Sequence, residues 1–243
     1  MRTLFSLFLF FFLTAPCLAT QPLLLGTFAG PPLSNENRTG FYDRVIQEAF
    51  KRINLRIDIE HLPAERSLAN ADAGITAGDF VRISGLEKLY PNLVMVPEKI
   101  TDFEFVAFSK TLRLKTSSWE TLKPFDVAIV RGWKILEKNL VGTHSLTFAH
   151  DQNQLFNLLV NDRADIIVYS RFEGYALIRS QGLDGIKALE PPLDVREMYL
   201  YLNKKHLDLV QPLAKALRKM KEDGTYTEIK NKTLGDYLPG NHD

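Results

Sequence analysis

Residues 125 to 139 read Phe-Asp-Val-Ala-Ile-Val-Arg-Gly-Trp-Lys-Ile-Leu-Glu-Lys-Asn, and this stretch decides the class of fold. The apolar run from Phe125 to Val130 is typical of a buried strand. Arg131 and Gly132 end the run, and Trp133 to Asn139 predicts a helix. A buried strand that turns at once into a helix is the building unit of an α/β fold.

The same alternation of strand and helix extends along the chain in both directions. Towards the N-terminus, strands are predicted at 23–28, 55–62, 93–96 and 103–108, with helices at 40–53 and from Pro63. Towards the C-terminus, strands are predicted at 166–169 and 198–202, and helices at 151–160, 172–180 and 207–221. Residues 74–80 are small and mixed and receive no assignment. The pattern predicts an α/β chain with mainly parallel sheets.

The first residues have the pattern of a secretory signal peptide. Arg2 precedes an apolar run from Leu4 to Leu13, and small residues follow up to Ala19. The alternative is a membrane anchor, but the run is shorter than the roughly 20 apolar residues of a membrane span. We expect cleavage after Ala19 and a periplasmic location, because no later apolar run has spanning length.

Composition narrows the possible partners. The chain has 30 basic and 29 acidic residues, so the part after the predicted leader, which contains Arg2, carries 29 of each. A chain near neutrality has no general attraction to nucleic acid or to anionic lipid. Cys17 is the only cysteine and lies in the leader, so the remainder is expected to lack disulfides and thiolate metal sites.

Enzyme motifs are absent from the sequence. The histidines show no metal-ligand spacing, and neither a Gly-x-Ser-x-Gly elbow nor a glycine-rich phosphate loop occurs. Several acidic side chains could in principle pair as acid and base, but no pattern distinguishes them: Asp162, Asp165, Glu173 and Asp184. We therefore expect a binding protein without cofactor or metal.

An ordered series of short motifs carries a family resemblance over nearly all of the chain after the leader. The motifs, each of them weak alone, are Gly40-Phe41-Tyr42-Asp43, the segment 74–78 followed by Arg82, Tyr90-Pro91-Asn92 before Val96-Pro97-Glu98, Val130-Arg131-Gly132, Asp162-Arg163-Ala164-Asp165, and the ending at 220–226. In this order they resemble the periplasmic solute-binding proteins of family 3, the receptors for polar amino acids.

The resemblance implies a type II periplasmic-binding-protein fold. Two α/β lobes would be joined by two crossover strands near 103–108 and 198–202, with the ligand in the cleft between them. Lobe 1 would comprise residues 20–107 and 196–243, and lobe 2 residues 108–195. Such a protein captures an amino acid or a small carboxylate by lobe closure, as a monomer, and delivers it to the membrane permease of an ABC transporter.

The sequence departs from the family pattern at two positions. Ala77 stands where the first lobe usually carries a structural aspartate. Ser170 stands where amino-acid receptors usually carry the aspartate that holds the ligand's ammonium group. The second departure weakens the amino-acid interpretation and favours another polar ligand, such as an anion.

Candidate ligand-binding residues follow from the motifs and from positions at the carboxyl ends of strands. Arg82 comes first, because a guanidinium can fork onto a carboxylate with two charge-assisted hydrogen bonds. Gly132 allows close approach to a helix N-terminus. The other candidates are Phe28, Thr76, Asp79, Arg131, Trp133, Tyr169 and Ser170, whereas Arg66 is interpreted as a solvated helix position.

Two alternatives remain open at this stage. A periplasmic enzyme of the same architecture, similar to the cyclohexadienyl dehydratases, would need a proton-transfer residue beside carboxylate-binding arginines. A stand-alone ligand sensor would report to a membrane kinase. Neighbouring genes for a permease and an ATPase would favour transport over both.

Overall fold

The computed structural model describes residues 21–237. The predicted signal peptide, its cleavage site and Cys17 lie outside the described residues. Within residues 21–237, no helix combines the length and the apolar character needed to cross a membrane.

The described part of the chain alternates strands and helices, as the sequence predicts. Its strands are β1 Leu23–Thr27, β2 Ile57–His61, β3 Gly78–Arg82, β4 Leu93–Met95, β5 Thr101–Ser109, β6 Asp126–Val130, β7 Ser145–Ala149, β8 Ile166–Ser170 and β9 Lys187–Asn203. Its α-helices are α1 Phe41–Lys51, α2 Ala64–Ala73, α3 Lys134–Asn139, α4 Gln152–Val160, α5 Arg171–Gln181, α6 Leu207–Glu222 and α7 Thr225–Leu234. The strands β3 and β7 are not assigned from the sequence.

The strands pair in the order β2-β1-β3-β9-β5-β8-β6-β7, and β4 pairs with β9 off this path. The pairs β1–β2, β1–β3, β6–β7 and β6–β8 are parallel. The pairs that involve β5 or β9 are antiparallel. The prediction of mainly parallel sheets is therefore wrong: β5 and β9 run against their neighbours at the centre and make the sheet mixed.

Strand β9 is the longest strand described, with 17 residues. Its first part pairs with β5 through Lys187 to Met198, and its last part pairs with β3 and β4 through Tyr199 to Asn203. The two segments predicted as crossovers fall within β5 and β9, although β9 starts at Lys187 rather than at Met198. The lobe boundaries drawn from the sequence remain a prediction.

Helix α1 shows how the apolar spacing of the sequence becomes packing. Its side chains Val45, Ile46, Ala49 and Phe50 are fully buried, at the i, i+1, i+4, i+5 spacing of one helix face. Asp43 closes the N-terminus, because its Oδ2 accepts the backbone N–H of Gly40 at 3.0 Å. This bond satisfies a backbone donor that the helix itself leaves unpaired.

A buried arginine ties the two central strands to helix α5. Arg171 is 6 % exposed, and its guanidinium donates to Glu104 on β5. It also forks onto Glu190 of β9 with Nη1–Oε1 and Nη2–Oε2 distances of 2.5 and 2.9 Å. Paired carboxylates are what make a buried guanidinium tolerable. The start of α5 is thus fixed to both strands at the centre of the sheet.

Candidate functional site

A cavity of about 780 Å³ lies between the N-terminal loop and helix α7 on one side and helix α5 on the other. Its first wall comes from residues 28–40 after β1 and from residues 232–237 near the end of α7. Its second wall comes from Trp133, from Gln152, and from residues 169–180 of β8 and α5. The cavity meets the carboxyl ends of β1 and β8, where ligands of α/β proteins bind.

Three residues predicted from the sequence line this cavity: Phe28, Trp133 and Tyr169. Trp133 stacks on Tyr169 with ring centroids 5.0 Å apart and an interplanar angle of 20°. Phe103, which the sequence analysis does not single out, contacts Trp133 edge-on at 6.1 Å. Phe28 enters from the opposite wall and is 42 % exposed. We call these four residues the aromatic wall.

Glu173 is the acidic residue of the cavity lining. It lies one helical turn beyond Ser170 on α5, half-buried. Burial raises the pKa of its carboxyl to about 7, although the Ser170 hydroxyl and the Gly30 backbone N–H beside it both favour the ionised form. Desolvation therefore outweighs two favourable dipoles. Since Gly30 belongs to the N-terminal loop, Glu173 also meets the opposite wall.

Ser170 itself is 2 % exposed and begins helix α5. It supports Glu173 through its hydroxyl and lies outside the cavity lining. The departure from the family pattern at Ser170 is thus accompanied by a carboxylate three residues later. The sequence spacing already indicates that Ser170 and Glu173 share a helix face, because residues three apart do so. The fold is needed to show that this face of α5 borders the cavity.

Arg82 lies behind Phe28, with its Cζ 4.4 Å from the ring centroid. Its Nε and Nη2 fork onto Asp79 at 2.5 and 3.1 Å, and Nη2 also donates to the Ala64 carbonyl at 3.0 Å. Burial raises the pKa of Asp79 in spite of this pair. Thr76, a further candidate, is 1 % exposed and donates to the Gly78 carbonyl. Asp79 and Arg82 form a buried support next to the cavity, whereas Thr76 precedes the opposite end of β3 and lies outside the cavity lining.

The backbone at this support is strained. Val81, between Asp79 and Arg82, has φ of +68° and is buried. A β-branched residue rarely adopts positive φ, and such strain persists only where the surroundings enforce it. The pairing of β3 with β9 shifts register at the same place, between Phe80 and Arg82. The irregular turn of the strand leaves Asp79 and Arg82 next to each other.

Arg131 and Gly132 lie outside the cavity lining, although the next residue, Trp133, is part of it. Gly132 has φ of +96°, a conformation that glycine adopts without strain. Its N–H donates to Glu137 Oε1 at 2.7 Å. Arg131 is exposed and lies over the Phe148 ring, 4.8 Å from its centroid. The structure brings Trp133 into the cavity lining and leaves the other two outside it.

A polar network fixes the N-terminal loop that forms the first wall. The Ser34 hydroxyl donates to Asp43 Oδ1 at 2.5 Å and accepts from His61 Nε2, 2.7 Å away. Asp43 Oδ2 also accepts the Asn35 backbone N–H at 3.0 Å. Ser34 and Asp43 are completely buried. The loop is therefore held to α1 and β2, which keeps Gly30, Pro31 and Pro32 at the cavity.

Among residues 21–237, no group of three or more histidine, cysteine or acidic residues is arranged to hold a metal ion. The cavity lining offers the aromatic wall and Tyr237, the Glu173 carboxyl group, the Lys232 amine, neutral polar side chains such as Asn35 and Gln152, and backbone groups of a proline-rich loop. Such a lining suits reversible binding of a small molecule with an apolar part and a polar or charged group.

No protein-family profile matches the chain. An uncharacterized protein of Shewanella oneidensis is 24% identical over 201 residues, which are 79% of this chain and 75% of that protein.

Comparison with solved structures identifies the fold. The GluR0 ligand-binding core in complex with L-glutamate has a TM-score of 0.76 at 12% identity, over 89% of this chain and 100% of that one. A histidine kinase sensor domain with similarity to periplasmic binding proteins has a TM-score of 0.71 at 16% identity, covering 88% and 96% of the two chains. A substrate-binding domain of a putative amino acid ABC transporter from Streptococcus pneumoniae has a TM-score of 0.68 at 16% identity, covering 88% and 100%. The chain therefore has the two-lobed fold of the periplasmic binding proteins, which confirms at the level of the fold the resemblance to the solute-binding proteins.

Proposed function

We propose that this protein is a periplasmic solute receptor that captures a small polar ligand in the cavity between its walls and delivers it to an ABC transporter. The observation that carries the proposal is the two-sided cavity, because Phe28 lies on one wall and Trp133 and Tyr169 lie on the other. Glu173 extends from the second wall to Gly30 of the first. A ligand that touches both walls favours the closed arrangement and shifts the population towards it.

The same residues argue for binding without turnover. Glu173 can take up or release a proton near neutral pH, but catalysis would require a second group to complete the proton transfer. The titratable neighbours Tyr42 and Tyr169 have their pKa raised by burial, so both stay neutral. We therefore propose that the ligand leaves the protein chemically unchanged. The proposal also includes that the protein acts as a monomer.

The position of Trp133 provides a direct test. The chain has two tryptophans, Trp119 and Trp133, and Trp133 lines the cavity. A Trp119→Phe variant keeps Trp133 as the sole reporter, and Trp133→Phe keeps Trp119 as the matched control. Each variant is titrated with amino acids, organic acids and amines while the emission spectrum is recorded.

We expect at least one compound to change the emission of the Trp133 reporter and to leave the Trp119 reporter unchanged. The same compound at about 100 times its Kd should add about 2.7 kcal/mol to the free energy of unfolding. Equal responses of both reporters, or chemical conversion of the compound, would contradict the proposed function.

A sensor role uses the same cavity and the same closure, and the likeness to a histidine kinase sensor domain keeps it as the second candidate. Reconstitution with the candidate transporter separates the two functions. Stimulation of its ATPase by the loaded protein supports delivery, whereas a loaded protein without effect supports sensing.

A further inference from the structure

The described part of the cavity lining contains two charged side chains, Lys232 and Glu173, and only one of them is already in an ion pair. Lys232 lies at the rim, and its Nζ is 2.6 Å from Glu228 Oε1 on the same exposed helix. Glu173 has no ion-pair partner among the described residues. Among residues 21–237, the cavity lining therefore contains one carboxyl group without an ion-pair partner, Glu173, and one cation that is already paired, Lys232.

Two groups predicted to hold a ligand carboxylate, the Arg82 guanidinium and the Gly132 N–H, already donate hydrogen bonds within the protein. In Arg82, Nε and Nη2 both donate to the Asp79 carboxylate, and Nη2 also donates to the Ala64 carbonyl. The Gly132 N–H donates to Glu137. The net charge of the Arg82–Asp79 pair is zero, so it attracts an anion only weakly. These contacts leave a free carboxylate ligand without a dedicated anchor.

The aromatic wall complements the carboxyl group. Trp133 and Phe28 line the cavity from its two sides, and Phe103 and Tyr169, which are only 9 % and 7 % exposed, pack against Trp133. Aromatic faces attract ammonium and guanidinium groups through the ring quadrupole. A carboxylate beside aromatic rings therefore selects for positive charge attached to an apolar body.

We propose that the ligand is a small organic cation, an alkyl- or arylammonium or a guanidinium compound, whose charge meets Glu173 and whose hydrocarbon part packs on the aromatic wall. This inference rests on the proposed function and adds the substrate class. It makes Glu173 the residue that determines specificity, and it requires no carboxylate on the ligand.

Electrostatics within the cavity support this assignment. Burial raises the pKa of Glu173 to about 7, so the empty site holds a partly protonated carboxyl at neutral pH. A bound cation favours the ionised form and lowers that pKa. The other groups that face Glu173 do not titrate in this range: they are the Ser170 hydroxyl, the Gly30 N–H, and the phenols of Tyr42 and Tyr169.

The test compares compounds matched in shape and opposite in charge, using emission of Trp133 in the Trp119→Phe protein. The probes are 2-phenylethylamine against 3-phenylpropanoate, and the linear dication agmatine against the linear dianion adipate. Glu173→Gln in that background removes the charge and keeps the shape. Glu120→Gln is the control, because this exposed residue pairs with Lys123 away from the cavity.

We expect an amine to bind, Glu173→Gln to weaken it at least tenfold, and Glu120→Gln to leave it unchanged. Amine affinity should also be about tenfold lower at pH 6 than at pH 8, because Glu173 is then mostly protonated. Tighter binding of an anionic probe, or amine binding that survives Glu173→Gln, would overturn the inference and leave the receptor function standing. If no probe and no amino acid binds, both proposals are wrong.

Discussion

Replacing Glu173 with glutamine should stabilise the ligand-free protein, and increasingly so as the pH rises. The carboxyl pKa is about 7 in the folded protein against 4.5 for an unperturbed glutamate. The folded state therefore binds this proton more tightly than the unfolded chain does. The contribution of Glu173 to the free energy of unfolding is most favourable at low pH, where the carboxyl is protonated. The free energy of unfolding then falls as the pH rises from about 4.5 to about 7. Glutamine is neutral throughout and avoids this loss.

The size of the effect follows from the two pKa values. At about 1.36 kcal/mol per pKa unit, the difference between 4.5 and about 7 corresponds to an upper limit of about 3 kcal/mol. Because ionisation develops gradually, we expect the variant to exceed the native protein by about 1 kcal/mol at pH 5 and by about 3 kcal/mol at pH 8.

Urea unfolding of the native protein, Glu173→Gln and Glu120→Gln at pH 5 and pH 8 measures these differences. The Glu120 variant should follow the native protein at both values, because that side chain is exposed. A Glu173→Gln advantage that is equal at the two pH values would refute the reasoning, and so would a native protein more stable than the variant at pH 8.

Three further substitutions test the contacts around the site, each by urea unfolding. Arg171→Ala removes the buried guanidinium that pairs two partly exposed carboxylates and should cost about 1–3 kcal/mol. Arg179→Ala, on the exposed part of the same helix, should cost under about 1 kcal/mol. Equal losses would contradict the assigned role. Gly174→Ala should cost about 1–3 kcal/mol, because a Cβ there would lie 2.4 Å from the Phe108 ring, and an unchanged midpoint would show that α5 can move away. Arg82→Ala should cost about 3 kcal/mol by leaving a buried carboxylate alone; a stable variant that has lost ligand binding would instead favour a direct role of the arginine.

Elements with one strong periodicity are predictable from the sequence. Helix α1 and strand β6 are confirmed nearly residue for residue, because their apolar spacing reflects burial directly. Strand β3 is missed, since a completely buried strand is expected to be apolar and this one contains Asp79 and Arg82. The two side chains neutralise each other, and a pairing between residues cannot be recognised from hydrophobicity alone.

The candidate site also contains residues that the sequence predicts and residues that it does not. Phe28, Trp133 and Tyr169 could be predicted because they lie at or just after the carboxyl ends of strands, and these ends meet at one edge of a sheet. Glu173 could not be singled out, because its role depends on which face of α5 borders the cavity. The charge expected of the ligand depends on Glu173. Ser170 considered alone favours an anion, whereas the cavity that contains Glu173 favours a cation.

Strand β9 has a consequence for the order in which the chain can fold. The strands β5, β6, β7 and β8 all lie between residues 101 and 170, so this half of the sheet can form most of its pairs early in synthesis. Strand β3 can pair with β1 early, but its other edge is paired only when β9 is available, since Gly78 also pairs with Leu202. Contacts between such distant residues form slowly. The first wall, which combines Phe28 with residues 232–237, is therefore expected to be completed last, after nearly the whole chain is available.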